Sequence, residues 1–135
     1  MKTHKDLEVW RASVELAKNM YALTKRYSKE ELFGLISQMR RSSVSIASNI
    51  AEGAARNGNK EFLQFLYIAL GSASELETHI EISKATEICE KDHLQKLQES
   101  TTRVRMLILG LITFPQAALN LRFTVYDLRL ATYES

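Results

Sequence analysis

GLISQMRRSSVSIASNIAEG, residues 34 to 53, is the stretch whose spacing decides the fold. Its core-type positions recur at Leu35/Ile36, Met39, Ser43, Ile46, Ile50 and, just beyond, Ala54. Steps of three and four draw one apolar stripe along an α-helix. Ser43, Ala47, Ala51 and Ala55 recur every four residues and add a seam of small side chains along one edge. Such a seam lets a neighbouring helix backbone come close. Gln38, Arg40, Arg41, Asn49 and Glu52 interrupt turns that are otherwise apolar or small. A helix carrying both tracks packs on more than one side.

Working outward, the spacing predicts a first helix from Asp6, as N-cap, to Tyr27, with Leu7, Trp10, Val14, Ala17, Tyr21 and Thr24 on its inner face. Trp10 reads as a core or interface anchor. Ser28-Lys29-Glu30-Glu31 has the S-x-x-E form of a capping box, so the second helix is expected to follow at once and run to Ala55. Arg56 to Asn59 form a turn, and a third helix follows over Lys60–Ala85. Its stripe is Phe62, Phe65/Leu66, Ala69, Ala73, Leu76 and Ile80, widened by Leu63, Tyr67, Leu70 and Gly71. After a connection over Thr86–Asp92, a fourth helix carries Leu94, Leu97, Thr101, Val104, Ile108 and Leu111, and Pro115 ends it.

Four amphipathic helices with short connections give an all-α, antiparallel up-down-up-down four-helix bundle over residues 1–115. Residues 116–135 form a tail. Leu121, Phe123 and Val125 alternate as in a strand, whereas Leu119, Phe123, Tyr126 and Leu130 suit a helix, and periodicity leaves both open. The stripes on the second and third helices are wider than such a core requires, which predicts self-association through them.

Composition narrows the class. One proline and five glycines in 135 residues leave little turn chemistry, which argues against a many-stranded β fold. A lone cysteine, Cys89, rules out an internal disulfide and suits a reducing compartment. The polar first residues and the short apolar run Met106–Phe114 predict a soluble, cytoplasmic protein with no membrane partner. Net charge is only +2, but residues 1–60 hold eleven Lys or Arg against six Asp or Glu, and residues 61–100 hold three against eight. That polarity suits subunit pairing or one basic face, and it also arises when helix faces are simply solvated.

Enzymatic chemistry finds no constellation. Glu90-Lys91-Asp92-His93 reads Glu-x-x-His once, where a di-iron bundle needs two such motifs and two further glutamates. The serines of the second helix lack a nucleophile elbow and a nearby histidine, and Glu52–Gly58 lacks the Lys-Ser/Thr end of a phosphate loop. No metal, cofactor or small-molecule substrate is expected. Arg40, Arg41, Arg56 and Lys60 are the better candidates, because guanidinium and ammonium groups suit phosphates. Adjacent arginines point about 100° apart on a helix, so one can pair with Glu52, Glu75 or Glu77 and leave the other to solvent. Arg11, Lys18, Lys25 and Arg26 line the first helix.

Residues 33–78, FGLISQMRRSSVSIASNIAEGAARNGNKEFLQFLYIALGSASELET, and the opening DLEVWRASVELA, Asp6 to Ala17, resemble the four-helix-bundle proteins encoded in intervening sequences of bacterial 23S rRNA genes. The resemblance spans residues 6–114. It implies a homo-oligomeric ring, a pentamer, and an association with nucleic acid, and it brings no enzymatic activity. Two positions depart from the family pattern: Ala47 stands where a proline is common in SIPANIAEG, and Gly58 where a serine usually caps the third helix. The expected function is thus a non-enzymatic, homo-oligomeric protein engaging structured RNA or a ribonucleoprotein through Arg40, Arg41, Arg56 and Lys60. Ser43, Ala47, Asn49, Ile50, Ala51 and Glu52 form the expected oligomer interface. The alternative is a scaffold docking an acidic protein partner; a weaker third is an enzyme using Glu52 and Asn49 at a subunit junction.

Overall fold

The computed structural model describes residues 3–27, 29–31 and 34–113. These residues form four helices and no strand: α1 (Glu8–Thr24), α2 (Leu35–Ala55), α3 (Asn59–Thr86) and α4 (Lys91–Thr113). Each helix packs on two others, α1 on α2 and α4, α3 on α2 and α4, which closes a four-membered ring around one core. Contacts run in opposite senses along neighbours. On α2 and α3, Gly53 faces Phe62 and Phe65, Ser45 meets Ser72, and Met39 meets Ser83. On α3 and α4, Lys84 reaches Gln95 and Gln98 whereas Glu77 reaches Arg105.

The stripes of α2, α3 and α4 lie where spacing predicts. Ile36, Met39, Ser43, Ile46, Ile50 and Ala54 are buried, as are Phe62, Leu66, Ala69, Ala73, Leu76 and Ile80 on α3, and Leu94, Leu97, Thr101, Val104 and Ile108 on α4. Tyr67 and Gly71 do not widen the α3 stripe; both face solvent. α2 runs unbroken through Ala47, as a helix lacking the family's proline should.

Helix α1 is in a different phase from the one expected. Its buried positions are Val9, Ser13, Leu16, Met20 and Leu23, with Thr24, while Val14 and Tyr21 are exposed. Both sets recur by threes and fours, and Ser13 disguised the true one. Its hydroxyl donates to the Val9 carbonyl at 2.6 Å, so a buried serine acts as a small packing residue with its polar group satisfied. Thr24, Ser42, Ser83 and Thr101 do the same onto carbonyls four residues back.

The helix starts need two corrections. Asp6 is not the cap of α1: its carboxylate accepts from the Thr3 backbone N–H at 2.8 Å, closing a capping box around a short 3-10 turn over His4–Asp6. α1 begins at Glu8, with Leu7 as its N-cap, one residue later than a cap at Asp6 implies, and ends at Thr24, before Tyr27. Lys29–Glu31 forms a 3-10 turn of its own rather than the first turn of α2, which starts only at Leu35, after Gly34. A local cap cannot carry a helix across a glycine that disfavours helix by about 1 kcal/mol. Ser28, the end of α4 at Pro115 and the tail 116–135 lie outside the described residues.

At Gly53 the α2 backbone comes close against α3. A Cβ on it would stand 2.6 Å from Phe65 Cβ and 3.2 Å from Phe62 Cδ2, whereas one on Gly71 would meet nothing within 4 Å. Gly53→Ala is therefore expected to destabilise the chain by about 1–3 kcal/mol through overpacking. Gly71→Ala should leave stability unchanged or raise it by up to about 1 kcal/mol through helix propensity. Urea unfolding of the two variants checks this; equal effects would show that α2 and α3 are not held by that approach.

Candidate nucleic-acid interface

The two adjacent arginines leave α2 on different sides. Arg40 turns to α1: its Nε donates to Thr24 Oγ1 at 2.8 Å, and its guanidinium lies 4.7 Å above the Tyr21 ring. Thr24 in turn donates to the Met20 carbonyl, so a relay of bonds ties the half-buried arginine into the α1 backbone. Arg41 turns to α3. It donates to Gln38 Oε1 at 2.9 Å and forms an ion pair with Glu75, whose carboxylate also lies 3.3 Å from His79 Nε2. The expectation that one arginine stays open to solvent does not hold, since Arg40 is held by a hydroxyl and a ring rather than by an acid.

Arg56 and Lys60 stand at the other end of α2, roughly 22 Å away along the axis from Arg41 at 1.5 Å per residue. Arg56 pairs with Glu52 at 2.7 Å and sits 5.2 Å from the Phe65 ring centre. Lys60 is exposed in the first turn of α3. The four residues are thus brought to three places rather than one. Exposed ion pairs are worth about 0–1 kcal/mol, so Arg41 and Arg56 can exchange a carboxylate for a phosphate at small cost. Arg40 is different, because its contacts join two helices.

The expected interface residues also separate. Ser43 and Ile50 are wholly buried inside this chain's own bundle, which removes them from any outer surface. Ala47 and Ala51 are half-buried. Asn49 Nδ2 donates to the Ser45 carbonyl at 2.8 Å, and Ser45 bonds across to Ser72 at 2.8 Å. Glu52 is exposed but engaged by Arg56. Asn49 and Glu52, the pair considered for catalysis, therefore already have partners within the chain.

Among the described residues, no group of three or more acids, histidines or cysteines is placed to hold a metal ion. Glu90 and His93 form a local pair at 2.9 Å. Cys89 is buried in the turn before α4, and burial pushes its thiol above the ordinary range, with Glu31 adding to the rise and the Tyr27 hydroxyl opposing it. Such a thiol is a poor nucleophile at neutral pH. No helix among those described is long and apolar enough to cross a membrane.

Of the four singled out, Arg40 and Lys60 lack a carboxylate within 4 Å among the described residues, and so do several further cations. These include Arg11 on α1, Lys25 and Arg26 in the turn that follows it, and Lys96 on α4. The sequence shows Arg11, Lys25 and Arg26 on one helix, but Lys96 joins them only through the fold.

The fold is a four-helix bundle in which Arg40, Arg41 and Arg105 join neighbouring helices. The chain belongs to the 23S rRNA-intervening sequence protein family, which matches it over residues 5–110. It is similar to a solved structure from Bacteroides thetaiotaomicron, a protein of unknown function from the S23 ribosomal protein family. The two are 28% identical with a TM-score of 0.72, and the match covers 77% of this chain and 97% of that one. Among curated proteins, none matches.

Arg40→Ala loses the Thr24 hydrogen bond and the Tyr21 stack, and is expected to destabilise by about 1–3 kcal/mol. Arg41→Ala removes an exposed pair and should change stability by less than about 1 kcal/mol. Urea midpoints of the two variants decide the matter; an Arg40→Ala chain as stable as wild type would refute the structural role.

Proposed function

We propose that the protein is a non-enzymatic, self-associating bundle that binds structured RNA or a ribonucleoprotein through its basic surface. The observation that carries this reading is the set of exposed cations without acid partners among the described residues, Arg11 on α1, Lys25 and Arg26 in the turn after it, and Lys96 on α4. Paired cations are already neutralised, whereas unpaired ones hold counterions that a phosphate backbone can release. The ribosomal RNA connection in the family's name points to the same ligand class. Arg41, Arg56 and Lys60 extend the surface along the other side.

The test is fluorescence anisotropy with structured rRNA fragments over a salt series. Affinity is expected to fall steeply with salt, and an Arg11→Gln/Arg26→Gln/Lys96→Gln variant should show a slope shallower by roughly 2–3, near 0.9 per phosphate contact. Absence of binding at low salt, together with salt-sensitive capture of an acidic protein, would replace this reading with the scaffold alternative.

Self-association is supported by an apolar flank where α1 meets α2. Val14, Tyr21 and Val44 are 39%, 41% and 42% exposed, and the half-buried Ala47 and Ala51 lie on the same side of α2. Arg40 over Tyr21 marks the register of this flank, with Val44 one turn further along α2 and Val14 two turns back along α1. Val44→Glu would place a charge in the middle of it. Light scattering should show the variant's mass falling towards that of a single chain. An unchanged assembly would move the interface to the exposed Tyr67 and Ile68 of α3.

A further inference from the structure

Between the second half of α1 and the first half of α4 lies a groove of about 300 Å³. Asn19 and Arg26 form one wall, His93, Lys96 and Ser100 the other, and Leu23 and Leu97 the floor. Among the described residues no carboxylate lines it, and neither Arg26 nor Lys96 has an acid within ion-pair distance. Glu90 Oε2 lies 2.9 Å from His93 Nδ1 without hydrogen-bonding geometry. Two unpaired cations lining one cleft repel, and an anion bound there relieves that repulsion.

The floor adds a second requirement. Leu23 and Leu97 are core side chains with only 6% and 5% of their surface exposed, so the bottom of the cleft is apolar and rigid. An inorganic anion would leave that floor unused. The volume is at the lower end of small-molecule sites, enough for one nucleotide and far too small for a duplex. Guanidinium and ammonium groups take a phosphate from two sides, and the planar fork of arginine suits its oxygens.

We propose that this groove binds a single nucleotide, phosphate first. Arg26 and Lys96 hold the phosphate, Asn19, His93 and Ser100 supply hydrogen bonds, and the ribose and base lie along Leu23 and Leu97. A free mononucleotide and an unpaired nucleotide of an RNA present this same chemistry. Assigning the nucleotide to RNA rests on the function proposed above; the groove itself does not.

The experiment titrates the isotope-labelled full chain with adenosine 5′-monophosphate and, separately, with adenosine, following backbone amide shifts. Shifts confined to residues 19–26 and 93–100 with the monophosphate, and absent with adenosine, are the expected result. An Arg26→Gln/Lys96→Gln variant should bind the monophosphate at least tenfold more weakly, while Lys60→Gln binds it like wild type. Displacement of bound RNA by the monophosphate would assign the site to an RNA nucleotide; retention of RNA would assign it to a free one. No shifts, or equal affinity in the double variant, would overturn the proposal. RNA binding is read separately, so RNA held steeply salt-dependently by a chain that ignores the monophosphate sinks the groove alone. A chain that binds the monophosphate and no RNA sinks the RNA reading alone.

Discussion

The close approach of α2 to α3 is the contact on which the rest of the bundle depends. Gly53 admits Phe62 and Phe65 against the α2 backbone, at a spacing no Cβ could share. Two turns earlier Ser45 and Ser72 meet through their hydroxyls, and nearer the other end Ser83 donates to the Met39 sulfur at 3.3 Å. Small groups at successive levels keep the two helices near each other along most of their length. With α3 fixed on one flank, the opposite flank of α2 is left to α1. There Arg40 closes the joint by stacking on Tyr21 and bonding Thr24. The pair of adjacent arginines is thus a consequence of α2 standing between two partners, one arginine reaching each.

Much of this was legible because α2, α3 and α4 each carry a single dominant stripe whose period leaves no choice of face. Helix α1 has two stripes a third of a turn apart. The one with tryptophan and tyrosine looks heavier, but the one that enters the core holds Leu16, Met20 and a serine that satisfies itself. Side-chain size does not rank the two; a wide aromatic can lie at an edge, as Trp10 does, half-buried with its ring edge-on to His4 at 5.2 Å. Helix starts failed for a related reason. Asp6 and Glu30-Glu31 have the residues of a cap, but each sits in a 3-10 turn that ends before the α-helix begins. Capping chemistry is local, whereas the start of a long helix is set by where its apolar face first meets the core.

The candidate site was legible in kind and not in place. The sequence displays cations, but whether a cation is spent within the fold depends on acids far along the chain. Arg41 meets Glu75, Arg103 meets Glu8 and Arg105 meets Glu77, all across helix boundaries. Among the described residues Arg40 meets no acid and is held instead by a ring and a hydroxyl, a role that charge counting cannot reveal. Lys96 is unremarkable in sequence, one lysine in an acidic segment, and matters only because α4 lies beside the end of α1.

That distinction also answers the objection from net charge. A surplus of +2 looks too small for a nucleic-acid surface, yet a sum over the chain counts paired and unpaired charges alike. At physiological salt the screening length is about 8 Å, so a phosphate responds to the charges beside it and hardly to those across a bundle. Two of the four acids of α3, Glu75 and Glu77, neutralise Arg41 of α2 and Arg105 of α4, and a third, Glu81, pairs with Lys84 on α3 itself. On the α1 side Glu8 and Glu15 are matched by Arg103 and Lys18, and Arg11, Lys25 and Arg26 are left over. A phosphate at that surface would therefore meet Arg11, Lys25 and Arg26 with no acid paired to them among the described residues, although the molecule as a whole is nearly neutral.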